Sequence, residues 1–180
     1  VIARGSNIRI CGRGVLDGSD YEWRKGPHNV TIGIYGSNVT VSGITIRGSS
    51  HWTIVPRGSR HVTIRNVKLC NSRVQNDDGV NPCNSQDVLI TDCFIRSDDD
   101  CVALKGLDFR GANSNVERIT VEDMDLLKVG RHFRLELVEG RATGAGGGRL
   151  GGLRPRGGRR GPRSRAAPGL ARATSCPAIC

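Results

Sequence analysis

One spacing of apolar and polar positions recurs through the middle of the chain: apolar-x-apolar-x-x-apolar-x-apolar. It falls on Val39, Val41, Ile44, Ile46, then on Val62, Ile64, Val67, Leu69. It returns at Val88, Ile90, Cys93, Ile95 and at Ile119, Val121, Met124, Leu126, with first members 23, 26 and 31 residues apart. Alternation at period two predicts strands, so each repeat reads as two short strands in succession. The residue before the third apolar position is Gly43, Asn66, Asp92 or Asp123, all types that accept a tight bend. Strand, bend, strand at this interval predicts a solenoid. With β-branched strands and no amphipathic helix, the fold class is all-β, a parallel β-helix whose coils stack about 4.8 Å apart. Ile8, Ile10 and Leu16 read as an earlier, glycine-distorted coil. On this template Asp92 and Asp123 are bend residues, and Cys93 is a buried, inert thiol in the stack.

Composition changes abruptly after this region. Residues 1–140 hold 18 Lys and Arg against 17 Asp and Glu, whereas residues 141–180 hold nine Arg and no acid. The formal charge of +10 therefore belongs to the tail, which is built mainly of Gly, Arg, Ala and Pro without periodicity or aromatics. Such a segment buries too little apolar surface to offset chain entropy, so it is expected to be disordered or to come from an out-of-frame reading. The expected division is a partial β-helix at 1–130 and a tail at 131–180. An arginine-rich tail also suits nucleic acid, but the frame reading is preferred and no nucleic-acid partner is expected. No apolar run approaches the roughly 18 residues of a membrane span. There is no initiator Met or signal-peptide pattern at Val1, so the chain reads as an excerpt. Seven cysteines, two of them in the tail, do not suggest a clean disulfide framework, and no paired CxxC suggests zinc. The sequons at Asn29 and Asn38 matter only in a eukaryotic secretory setting.

Two aspartate runs carry the candidate chemistry. Asp77–Asp78 and Asp98–Asp99–Asp100 flank one anchor segment. Placing Val80 of DGVNP over Val102 of DCVAL, 22 residues on, sets Asp78 over Asp100 and Asp77 over Asp99. That offset is a plausible coil length, so the runs should form one acidic patch on an edge of the solenoid. Strand parity alone would send Asp78 and Asp100 inward with the valines, but both lie at a bend where parity resets. Neighbouring carboxylates cannot all ionise freely, which leaves a protonated acid beside ionised partners. Glycoside hydrolysis needs that combination.

The ordered set GRGVLDG (12–18), HWTIVP (51–56), NDDGVNP (76–82) and SDDDCVALKG (97–106) resembles glycoside hydrolase family 28, the polygalacturonases. The resemblance spans roughly residues 6–128. It implies a right-handed parallel β-helix that hydrolyses α-1,4 galacturonosyl links of pectin with inversion, without a metal or other cofactor. It implies Asp99 as the general acid, with Asp78 and Asp100 holding and activating water. The family's Asn-x-Asp-Gly motif falls on Asn76, Asp78 and Gly79, which makes Asn76 a substrate-binding candidate.

Lys105 is a second such candidate, facing an anionic sugar or serving as counter-ion to the aspartates. His132 is a third, near the place of the family's Gly-His-Gly motif but with the wrong flanks. The Arg-x-Lys element expected further on is not present. Trp52 and Trp23 read as packing aromatics before sugar platforms. His28, His51 and His61 lack metal or triad spacing. Alternatives are a dextranase-like glycosidase, a Ca²⁺-dependent pectate lyase, or a non-catalytic β-helix module. A secreted or periplasmic monomer acting on a polysaccharide is expected, with residues 1–180 as written inactive for want of later coils.

Overall fold

The structure, a computed structural model, describes residues 1–20, 30–71, 74–106, 115–128, 131–137, 150–151 and 154–156. Its regular elements among these residues are all strands: β1 (Ile2–Cys11), β2 (Val15–Asp17), β3 (Ile32–Ser42), β4 (Thr45–Arg47), β5 (Ile54–Pro56), β6 (Arg60–Arg65) and β7 (Lys68–Cys70). They continue as β8 (Gln86–Ser97), β9 (Asp100–Gly106), β10 (Val116–Lys128), β11 (Arg131–Leu137), β12 (Leu150–Gly151) and β13 (Arg154–Arg156). The strand pairs are parallel, and the chain winds as a β-solenoid.

Three ladders run along it. The first carries Ile32 to Ile54, then Val80, Val102 and Phe133. The second stacks Ile8, Val39, Val62, Val88 and Ile119. The third stacks Leu16, Ile46, Leu69, Ile95 and Leu126. Each anchor read from the apolar pattern stands at its expected rung, and the stacks form one core cluster against which Ile8, Ile10, Leu16, Val121 and Leu126 pack. Burying these side chains is worth about 1.5–3 kcal/mol apiece. Cys93 replaces Val67 in the stack, and burial pushes its thiol up to about 11.

The bends set where the second ladder turns into the third: Gly43 parts β3 from β4 and Asn66 parts β6 from β7, while β8 and β10 run unbroken through Asp92 and Asp123. Gly43, Asn66, Asp92 and Asp123 have φ of 76°, 49°, 52° and 50°, the left-handed conformation their residue types tolerate. A second left-handed column, which the apolar pattern did not reveal, comprises Asn7, Asn38, His61, Asp87 and Arg118, with φ from 51° to 60°. Its side chains bond from rung to rung. Asn38 Nδ2 donates to Asn7 Oδ1 at 2.6 Å, and Arg118 donates to Asp87 Oδ2 at 2.9 Å.

Strands continue past residue 130. β11 pairs with β9, while β12 and β13 pair with β10, so the expected tail contributes three strands to the stack. The alternation of Phe133, Leu135 and Leu137 was the available signal for β11. Trp23, His28, Asn29 and most of the tail lie outside the described residues.

One glycine is fixed by space. A Cβ on Gly79 would run into the Cys101 carbonyl oxygen and the Ile95 side chain, because the Val80 rung lies directly on the Val102 rung. Gly79→Ala is expected to cost about 1–3 kcal/mol, the usual penalty of overpacking, read as a lower denaturant midpoint.

Candidate active site

Both aspartate runs occupy the corner where the third ladder hands over to the first. β7 ends at Cys70 and β8 at Ser97, and each is followed by an acidic segment leading to Val80 or Val102. Backbone hydrogen bonds lock the two segments together: Gly79 N–H donates to Asp100 O at 2.8 Å and Val80 N–H to Cys101 O at 3.0 Å. Asp77 is fully buried and brackets the corner by accepting the Asp98 N–H at 2.8 Å.

Inward–outward alternation fails at this corner, since the consecutive residues Cys101 and Val102 both join the core. Asp100, before Cys101, is thereby released from the parity of Val102. Asp78 likewise meets Asn81 and Lys105, neither of which belongs to the apolar cluster. Asp78, Asp99 and Asp100 come together: one carboxylate oxygen from each lies within 4.8 Å of the others. Asp78 and Asp100 are buried and Asp99 is half-buried.

Burial pushes the Asp78 carboxyl above its usual range, opposed by the Lys105 ammonium and the Asn81 hydrogen bond and reinforced by the Asp99 charge. Lys105 Nζ stands 3.0 Å from Asp78 Oδ2, and Asn81 Nδ2 donates to the same oxygen at 2.5 Å. Lys105 is itself buried at 4% exposure, with its ammonium 3.7 Å from the centroid of the Trp52 ring. Lys105 thus forms an ion pair with Asp78. A carboxylate trio this close has the donor set for a cation, but Lys105 already supplies positive charge at Asp78.

Asn76, in a left-handed conformation at φ 72°, spends its amide on two aromatic neighbours. Trp52 Nε1–H donates to its Oδ1 at 3.1 Å, and its Nδ2 lies 3.0 Å from His51 Nε2. The backbone of His132 lies between the pairs Arg131↔Asp100 and Phe133↔Val102, one rung beyond the acids.

Two neighbours were not anticipated. Asn81 follows the acidic run by three residues and donates its Nδ2 to Asp78 Oδ2. Arg134, two residues after His132, places a guanidinium nitrogen 3.7 Å from Asp100 Oδ2. Its signal was its alternation with Phe133 and Leu135, which the assumed boundary at 130 concealed. Cys83 stands between Arg57 and Lys105 in the ladder, and burial pushes its thiol up to about 12, so it is unreactive.

Residues 3–130 match the model of glycosyl hydrolases family 28. A probable polygalacturonase of Vitis vinifera is 33% identical over 111 residues, which cover 58% of this chain and 22% of that protein. Exopolygalacturonase A of Aspergillus niger is 26% identical over 137 residues, covering 67% of this chain and 30% of its own. The crystal structure of a hyperthermoactive exopolygalacturonase from Thermotoga maritima superposes with a TM-score of 0.56 at 29% identity, over 69% of this chain and 28% of that one. The chain spans less than a third of the length of each of these relatives. With the family model matched across both aspartate runs and the solenoid shared with a solved relative, the chain belongs to glycosyl hydrolases family 28.

Proposed function

We propose that this chain carries the acid/base part of a polygalacturonase-type glycosidase, which cleaves α-1,4 galacturonosyl links in pectic polysaccharide outside the cell. The observation that carries the reading is the convergence of Asp78, Asp99 and Asp100 within 4.8 Å on adjoining rungs. The names of the relatives supply the substrate class.

Asp99 is assigned as the general acid. It is the most exposed of the three and can meet a leaving oxygen arriving from solvent. Asp78 and Asp100 are assigned to the water, and each faces a cation, Lys105 or Arg134. Elevation of Asp78 by burial argues in the other direction, since a raised carboxyl is the usual mark of an acid. Accessibility and the motif resemblance support Asp99.

Inverting enzymes hold acid and base about 6.5–9.5 Å apart to admit water between them. The closest oxygens here are nearer than that, so under inversion the water sits beside the trio, shared by Asp78 and Asp100. Arg134, about a third exposed, is the cation placed to meet a substrate carboxylate. The lyase reading needs Ca²⁺ where Lys105 Nζ already contacts Asp78.

In a form of the protein active on polygalacturonate, Asp99→Asn is expected to lower kcat by about 10²–10⁴. The loss should be far smaller on an aryl galacturonide, whose leaving group needs no proton, whereas Asp78→Asn should impair both substrates alike. The opposite pattern would make Asp78 the acid. Because Asp78 must be ionised to activate water, the acidic limb of kcat/KM should lie above the ordinary aspartate range, set by the raised carboxyl. Excess chelator should leave the release of reducing ends intact, with no ultraviolet-absorbing unsaturated sugar. NMR of the first-formed anomer reads the stereochemical course.

A further inference from the structure

We propose that Trp52 is a positioning residue for Asp78: its indole, fixed by Asn76, forms the surface that holds Lys105 against the buried carboxylate. A buried ammonium must replace the water shell that it gives up. Asp78 Oδ2 takes one direction at 3.0 Å, and the face of Trp52 takes another at 3.7 Å from the ring centroid. A cation over an indole face is the most favourable arrangement of its kind, and it strengthens when both groups are shielded from water.

The indole does not orient itself. Its N–H only donates, so the Asn76 atom 3.1 Å away must be the carbonyl oxygen. The amide nitrogen of Asn76 then donates to His51 Nε2 at 3.0 Å, which fixes neutral His51 with its proton on Nδ1. His51 is 6% exposed, and Asn76 reaches both rings from its left-handed backbone. Orientation thus passes from His51 to Asn76, from Asn76 to Trp52, and from Trp52 to Lys105. The family-motif asparagine acts through the tryptophan, and the Trp52 face beneath Lys105 is closed to sugar stacking.

Asp78 is faced by Lys105 from β9, by Asn81 on its own rung and by the charges of Asp99 and Asp100 on the next. Arg134 acts through Asp100, Arg57 lies beyond Cys83 and His51 beyond Asn76. Lys105 is the cation in contact with Asp78 among the described residues. Loss of the Trp52 platform therefore loosens the contact that opposes desolvation of this carboxylate.

The contact is tested without turnover, by Trp52 emission in the full chain carrying Trp23→Phe. Acid titration is expected to shift the emission at a midpoint above the ordinary aspartate range, while the far-ultraviolet circular dichroism stays constant. Asp78→Asn and Lys105→Met should each abolish the shift, and Asp99→Asn should move its midpoint to lower pH. If one of the first two variants fails to fold, the other carries the test. Absence of the shift in the folded parent, or its persistence in a folded Asp78→Asn or Lys105→Met variant, overturns the proposal. The kinetic consequence rests on the catalytic reading above: in an active form, Trp52→Leu should move the acidic limb of kcat/KM to higher pH. An intact emission shift beside an acidic limb that Trp52→Leu leaves unmoved in the active form would sink that reading alone.

Discussion

The site exists because one rung must lie in register on the next. Parallel backbone pairing fixes the rise between coils, and the apolar stacks fix which residue sits over which. Val80 over Val102 is the decisive pair. Slip that pair by one residue and Gly79 loses the place it needs beneath the Cys101 carbonyl, while Asp78 no longer stands beside Asp100. The carboxylates have little attraction of their own to hold them together. Their repulsion is carried by the core below.

That arrangement leaves a charge problem which the neighbouring residues answer locally. Asp77, Asp78 and Asp100 sit almost without solvent, and the last two each face a cation from a different strand: Lys105 of β9 for Asp78, Arg134 of β11 for Asp100. A buried ion pair gains little net stability over an apolar pair, so its presence at this corner points to function more than to folding. Asp17 offers the contrast. It is ion-paired with Arg47 at 2.6 Å on an exposed face, where solvent screens the interaction.

Much of this was legible in the sequence, for a physical reason. A solenoid repeats its contacts turn after turn, so Val39, Val62, Val88 and Ile119 announce their stacking by the apolar spacing inside each repeat. The 22-residue offset from Asp78 to Asp100 follows from the same rule. The second bend column was not legible, because Asn, His, Asp and Arg occupy one backbone conformation and share no chemical label. Nor was the partnership of Trp52 with Asn76 and Lys105, which depends on rotamers meeting across three rungs. Strand β11 was obscured by composition, since its alternation abuts a Gly- and Arg-rich stretch.

The unequal coil lengths bear on how such a chain tolerates insertions and deletions. The step from Val88 to Ile119 spans 31 residues and that from Val62 to Val88 spans 26, yet the ladders on either side stay in register. The extra length enters between Gly106 and Val116, after Lys105 has met Asp78. The 22 residues from Val80 to Val102 have no such slack, because β8 occupies most of the interval and β9 begins three residues after β8 ends. A one-residue gain or loss there would be read as a displaced aspartate.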